Sequence, residues 1–202
     1  MIWYEADVRL LEEKVQTLAP ATEKTVFYGS SSIRLWTTLD QDFPHLDTLN
    51  LGFGGSTLAA CTWFFERIVA PTLPKAVVFY AGDNDLGNGR HPEEIYQFFC
   101  AFAGKMRTLL PDVPLYFLSV KISLARWGIA DEIQYTNRLI SREIEQYPDW
   151  QYIDMTTPLL DQHGSPRQEF FENDGLHLSP AGYQIWAQTF QQQARIFNDL
   201  FI

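Results

Sequence analysis

Residues 25–33 read TVFYGSSSI, a short apolar run that ends at a glycine and is followed by three serines. A run of four to eight apolar residues bounded by a turn signal is typical of a buried strand. Serines commonly begin helices, because their side-chain oxygen accepts a hydrogen bond from the first free backbone N–H groups. The stretch therefore predicts a strand that turns directly into a helix, with a serine hydroxyl that either caps the helix or is exposed at the turn.

The same kind of apolar run recurs along the chain. After the strand at 25–28, we predict strands at 46–51, 75–80, 114–120 and 151–153. Helical periodicity predicts helices between them, at 58–69, 92–110, 131–147 and 180–198. Strands joined by helices of this length form right-handed crossovers and a parallel sheet. The prediction is an α/β fold, a three-layer α/β/α sandwich with a five-stranded parallel sheet of the flavodoxin-like type.

An amphipathic helix precedes the first strand. Its apolar residues share one stripe: Tyr4, Val8, Leu11, Val15 and Leu18. Pro20 is expected to end this helix. With 202 residues and no repeat or linker, the chain is expected to form one domain, 1–202, with residues 1–20 packed on it or flanking it. The same stripe could instead build a dimer, so the oligomeric state stays open.

Composition and charge narrow the classes of function. A net charge of −10 disfavours binding to nucleic acid and to anionic lipid surfaces. The first residues include acids where a signal peptide has basic ones, and the apolar runs are too short to span a bilayer. Cys61 and Cys100 are isolated, which favours buried free thiols in a reducing compartment. We expect a cytoplasmic protein with no membrane span and no nucleic-acid partner.

Ligands of parallel α/β sheets bind at the carboxyl ends of the strands, so the residues after each strand are the first candidates. The loop at 50–57 contains GFGG, whose glycines allow either a close approach to a ligand or an ordinary turn. It lacks the patterns of a phosphate-binding loop. After the third strand, Asp83 and Asp85 flank Asn84. Without EF-hand spacing or a histidine pair, these acids favour a turn over a metal site.

One of the four histidines lies in the run DGLHLS at 174–179. Asp174 can orient the His177 imidazole within one turn of chain, just before a helix that Pro180 begins. An oriented imidazole beside a serine hydroxyl activates a nucleophile. Alone, this spacing is more typical of a structural turn. The serines, the glycine loop and Asn84 at the same edge favour catalysis.

Four blocks in this order make the chain resemble the SGNH hydrolases, also called the GDSL esterase and lipase superfamily. The blocks are GSSSI at 29–33, NLGFGGS at 50–56, GDND at 82–85 and DGLH at 174–177. The resemblance extends from Val26 to Tyr183, and it is greatest to the bacterial branch related to platelet-activating-factor acetylhydrolase.

The resemblance implies a role for one residue or pair in each block. By position, Ser31 matches the nucleophile, His177 the base, and Asp174 the acid that orients the base. The N–H of Gly55 and the side-chain amide of Asn84 match the donors that stabilise the oxyanion.

The first block departs from the family pattern. The family has an Asp after the first glycine, where this chain has Ser30. With Ser32 on the other side, three consecutive serines leave the register of the nucleophile open. The implied activity is hydrolysis of a small or lipid-derived carboxylic ester, without a metal or organic cofactor.

Two other functions stay open: deacetylation of a carbohydrate by the same residues, and ligand binding without catalysis. A small-molecule ester is the expected partner if the protein is an ester hydrolase or a carbohydrate deacetylase. Residues near the same sheet edge are candidates for substrate contact, with core packing or a solvated loop as the alternatives: Trp36, Phe53, Lys121, Arg126 and Trp127.

Overall fold

The centre of the molecule is a parallel sheet. The computed structural model describes residues 1–18 and 23–200, so the predicted helix end at Pro20 lies outside the described residues. The strands are β1 (Thr25–Gly29), β2 (Thr48–Gly52), β3 (Ala76–Tyr80), β4 (Leu115–Leu118) and β5 (Trp150–Ile153). They lie in the order β2-β1-β3-β4-β5, and every pairing is parallel.

Helices cover both faces of this sheet. They are α1 (Glu5–Gln16), α2 (Ser31–Arg34), α3 (Leu39–Asp42), α4 (Leu58–Ile68), α5 (Asp83–Gly87), α6 (Pro92–Leu109), α7 (Ala130–Ile144) and α8 (Pro180–Gln193). Alternate residues of a strand point to opposite faces. Val26 and Tyr28 accordingly join the apolar core under α1, α4, α6 and α7, whereas Phe27 joins the core under α2, α3 and α8. The α/β/α fold class and the five-stranded parallel sheet are confirmed.

The register of the strands sets the position of the loops that follow them. Gly29 at the end of β1 pairs with Gly52 of β2 and with Tyr80 of β3. The three strands therefore end at the same level, and the segments after them begin side by side at one edge of the sheet.

Helix α1 packs against α4. Val8 and Val15 are buried in the core, and Leu11 and Leu18 pack against it. The Arg67 guanidinium of α4 also donates hydrogen bonds to Glu12 (2.7 Å) and Glu5 (2.8 Å). The apolar stripe predicted from the sequence therefore faces α4 and the apolar core.

The predicted element boundaries hold to within three residues except at the C-terminal helix. That helix ends at Gln193 rather than at 198, because Ala194 adopts an extended backbone with φ −75° and ψ 126°. A 3-10 turn follows, and the Arg195 guanidinium donates to the Pro148 carbonyl at 2.9 Å.

Cys61 and Cys100 are free thiols, but only Cys61 is buried. Among the described residues, no helix is long and apolar enough to cross a membrane.

Candidate active site

A sharp turn at the end of β1 places the serine cluster. Gly29 has φ +140°, and a Cβ there would lie 1.9 Å from the Tyr80 carbonyl oxygen, so only glycine fits. The backbone N–H of Ser30 donates to that same oxygen at 3.0 Å, which holds the turn against β3. Helix α2 then begins at Ser31, at the carboxyl edge of the sheet.

The structure separates the three serines. Ser30 is 2% exposed and Ser32 is 1% exposed, whereas Ser31 is partly exposed. The Ser31 Oγ lies 3.0 Å from the Nε2 of His177. Ser30 precedes the helix, but its side chain makes no capping bond, so the interpretation of the serines as a cap is wrong for Ser30. Ser31 is the serine that the fold brings to the imidazole.

Asp174 holds the other side of the imidazole. Its Oδ2 lies 2.6 Å from the Nδ1 of His177, and its Oδ1 accepts the N–H groups of Leu176 (2.8 Å) and His177 (3.0 Å). The bond from the His177 ring and the backbone bond from Leu176 lower the pKa of Asp174 to about 2. An ionised carboxylate only accepts hydrogen bonds, so Nδ1 carries the proton in the neutral ring. The Nε2 lone pair then faces the Ser31 hydroxyl, as a general base requires.

Gly55 and Asn84 follow the two strands that flank β1. Gly55 is exposed with φ +66°, and its carbonyl accepts the Tyr4 hydroxyl at 3.0 Å. Apart from its two chain neighbours, no described residue has an atom within 4 Å of where a Cβ would be. Asn84 Nδ2 donates to the Ser56 carbonyl at 3.0 Å. An amide NH₂ has two hydrogens, so this bond leaves a second donor. The hydrogen bond between Asn84 and Ser56 therefore ties the two loops together at the edge of the sheet where β1 ends.

Helix α5 joins three neighbouring segments through three consecutive side chains. Asp83 binds Lys121 after β4, Asn84 binds Ser56 after β2, and Asp85 Oδ2 accepts the Leu58 N–H at the start of α4 at 2.7 Å. Burial raises the pKa of Asp85 to about 6, although the bonds from backbone N–H groups partly offset this effect. Asp85 and Leu58 lie 27 positions apart in the sequence, so no local sequence signal could have revealed their hydrogen bond.

The two acids of this helix bond to other parts of the protein, Asp83 to Lys121 and Asp85 to the Leu58 N–H. These partners are distant in sequence, so the interpretation that the acids stabilise a local turn is wrong for them. Within residues 1–18 and 23–200, no group of three or more His, Cys, Asp or Glu side chains could hold a metal ion.

Two of the expected substrate contacts lie in the core instead. Trp36 is buried against aromatic rings under α8, and its Nε1 donates to Asp42 at 2.7 Å. Phe53 is buried among the rings of Tyr4 and Phe64. The expectation that Trp36 and Phe53 contact substrate is therefore wrong, because protein atoms already enclose both side chains.

The three candidates after β4 differ in exposure. Lys121 is 1% exposed and bound to Asp83 at 2.7 Å, so the expectation of a substrate contact is wrong there as well. Arg126 is partly exposed, with its Nε 3.5 Å from Asp83 and its guanidinium against Gly87. Trp127 is 47% exposed in the same 3-10 segment, Leu124–Ile129.

A cavity of about 470 Å³ lies beside His177. Its lining includes several polar side chains: Thr37, Thr38, Gln41, Glu172 and Gln184. The cavity therefore offers hydrogen-bonding groups on the side of the site where the imidazole lies.

Known proteins with this architecture include ester hydrolases. A GDSL-like lipase from Bacteroides thetaiotaomicron aligns with a TM-score of 0.79 and 19% identity, covering 96% of this chain and 98% of that chain. A Streptococcus pneumonia protein, provisionally described as a platelet activating factor, gives 0.80 and 18%, covering 94% of each chain. A variant of an acetylxylan esterase from Geobacillus stearothermophilus gives 0.69 and 15%, covering 86% of this chain and 94% of that chain. These likenesses establish the fold.

The family is established by sequence. A comparison with curated proteins found no significant match. The sequence model of the GDSL-like lipase/acylhydrolase family matches residues 22–185, which include the four blocks that carry the site. The chain therefore belongs to the GDSL-like lipase/acylhydrolase family.

Proposed function

We propose that the protein is a serine esterase that hydrolyses small carboxylic esters with Ser31 as its nucleophile. One observation carries this proposal: two hydrogen bonds in series join Asp174, His177 and Ser31, at 2.6 Å and 3.0 Å. A nucleophile, a base and an orienting acid in this order are what attack on an ester carbonyl requires.

In the first half of the reaction, Nε2 of His177 takes the hydroxyl proton while Ser31 Oγ attacks the ester carbon. The carbonyl oxygen gains negative charge in the tetrahedral intermediate. The N–H groups of Ser31 and Gly55 and the amide of Asn84 are the proposed donors to it. One such donor contributes about 10²–10³ in kcat. The imidazolium then protonates the leaving alcohol as the bond from carbon to the alcohol oxygen breaks.

In the second half, water replaces the alcohol. His177 takes a proton from the water, which attacks the acyl carbon, and returns that proton to Ser31 Oγ as the acid leaves. Asp174 stabilises the imidazolium in both halves. These steps use only side chains and backbone groups of the chain, so the proposed reaction needs no metal or organic cofactor.

The polar cavity beside His177 favours a second candidate, removal of acetyl groups from a carbohydrate. The leaving alcohol must lie near Nε2 of His177 to receive its proton. A sugar that extends into this cavity would find hydrogen-bonding partners in Thr37, Gln41 and Gln184. The likeness of the fold to an acetylxylan esterase agrees with this candidate. Arg126 and Trp127, in the 3-10 segment after β4, are further proposed contacts to substrate.

A substrate panel tests both candidates. Initial rates are measured on p-nitrophenyl acetate, butyrate and decanoate and on acetylated xylo-oligosaccharides, with wild type and Ser31→Ala. We expect wild type to turn over the acetyl esters and Ser31→Ala to lose at least about 10³-fold in kcat.

The pattern of rates separates the possible functions. Acetylated sugars with a higher kcat/KM than every aryl ester would favour the carbohydrate esterase. A preference for the decanoate would favour a lipid-derived substrate. Equal turnover by wild type and Ser31→Ala would overturn the proposed function, because the reaction would not use Ser31. No turnover by a folded wild type would also overturn it and would favour binding without catalysis.

A further inference from the structure

Lys121 is a buried cation that the proposed reaction does not use. It follows β4, and its side chain is 1% exposed. An ammonium group has three hydrogens, and each has an acceptor here. The acceptors are Asp83 Oδ2 at 2.7 Å, the Tyr80 hydroxyl at 3.1 Å and Ser32 Oγ at 3.2 Å.

Two of the three acceptors, Ser32 and Asp83, belong to segments that carry a proposed site residue. Ser32 directly follows Ser31 in α2, and Asp83 directly precedes Asn84 in α5. One ammonium group therefore ties the turn of the nucleophile to the helix of the proposed oxyanion donor.

The backbone that carries Lys121 is itself fixed. The side chain of Asn137, on α7, accepts the Val120 N–H at 2.9 Å and donates to the Val120 carbonyl at 2.8 Å. The hydroxyl of Thr156 donates to the same carbonyl at 2.9 Å. These hydrogen bonds fix the backbone next to Lys121, from which its side chain extends to both segments.

Stability alone is a weak reason for this arrangement. Asp83 is 6% exposed, so both charges are largely removed from water. The desolvation cost of such a pair offsets most or all of its attraction, and an apolar pair of similar volume is often as stable. Burial alone would lower the pKa of Lys121, but Asp83 and Tyr80 together outweigh it and raise that pKa above its ordinary value, so the ammonium stays charged.

We propose that Lys121 is a positioning residue that fixes Ser31 relative to Asn84 through its bonds to Ser32 and Asp83. This inference rests on the proposed function. Because the lysine does not contact the substrate, its loss should lower kcat and leave KM nearly unchanged. A displacement of reacting groups by about 1 Å can lower a rate by about 10²-fold.

The experiment measures kcat per active site for Lys121→Met. A fluorophosphonate titrates the reactive serines to completion, and steady-state rates on p-nitrophenyl acetate are divided by that count. Unfolded molecules are thereby excluded. We expect kcat per site to fall about 10- to 100-fold, with KM within about twofold of wild type.

Two further variants keep the test decisive if Lys121→Met folds poorly. Ser32→Ala removes only the link to the nucleophile turn and leaves the pair of Lys121 and Asp83 in place. It should lower kcat per site by about 10-fold, and the double variant should lose no more than Lys121→Met alone. Met106→Ala is the control, because it leaves a void in the core beside α6 without touching the site. Its kcat per site should equal that of wild type.

The outcomes separate this inference from the proposed function. If wild type is not labelled at Ser31, the proposed function fails. If wild type is labelled but Ser32→Ala and every folded Lys121 variant keep kcat per site within twofold, the positioning role is overturned.

Discussion

Replacing Asp174 with asparagine tests the electronic role of the acid while keeping its local structure. Asparagine retains one side-chain oxygen, which can still accept the N–H groups of Leu176 and His177. It places an NH₂ group where Oδ2 now accepts the proton of Nδ1 at 2.6 Å. Since an NH₂ group only donates, the ring proton must move to Nε2. Nε2 then faces Ser31 with a hydrogen and cannot take the hydroxyl proton.

The expected loss is large. The wrong tautomer in a Ser-His-Asp triad lowers kcat by about 10⁴-fold, which corresponds to about 5.5 kcal/mol of transition-state stabilisation. Because the bond from His177 holds the pKa of Asp174 at about 2, the carboxylate is ionised throughout the range from about pH 5 to 9. The loss should therefore extend over this whole range.

The assay is kcat on p-nitrophenyl acetate, with thermal melting to confirm folding. Asp161→Asn is the matched control, because Asp161 accepts the N–H groups of His163 (2.8 Å) and Ser165 (2.9 Å) in a similar exposed turn. It should keep wild-type activity. A folded Asp174→Asn variant with kcat within tenfold of wild type would refute the assignment of His177 as the base that Asp174 orients.

Two further predictions concern α5. Asn84→Ala should lower kcat by about 10²–10³-fold through loss of an oxyanion donor. Asn88→Ala, at the exposed end of the same helix, is the control and should leave kcat unchanged. Equal kcat values for the two variants would show that Asn84 takes no part in the mechanism. Asp85→Asn tests the buried carboxyl. Because the pKa of Asp85 is raised from 3.8 to about 6, the native state keeps a proton that the unfolded state releases. Wild-type stability should therefore fall by about 2 kcal/mol more than that of the variant between pH 4 and 7. Urea unfolding at both pH values measures this difference, and identical pH dependence would show that Asp85 is not buried as an acid.

The sequence predicts the sheet well because its signals are local. Each of the first three strands is a short apolar run with a glycine directly after it or close by, and the helices between them leave few alternatives to a parallel sheet. The ends of helices depend less on local sequence signals. The end of α8 depends on Ala194 and on bonds from Arg195 to residues more than forty positions away, which periodicity does not reveal.

For the site, the sequence locates the edge of the sheet but not the direction of each side chain. Residues 30–32 are three consecutive serines that the sequence does not distinguish, and only the turn at Gly29 decides which of them faces His177. Lys121 follows a strand as a substrate-binding residue would, yet it bonds to Ser32, 89 positions away. Contacts at that separation require the folded topology.

The identity of the residue that a fluorophosphonate labels tests directly whether Ser31 is the nucleophile. The folded chain is incubated with a fluorophosphonate to completion, and the adduct is located by mass spectrometry of its peptides. We expect one adduct per chain, on Ser31, which is retained in Ser30→Ala and Ser32→Ala and lost in Ser31→Ala. An adduct on Ser30 or Ser32, or a folded chain that does not react, would show that Ser31 is not the nucleophile.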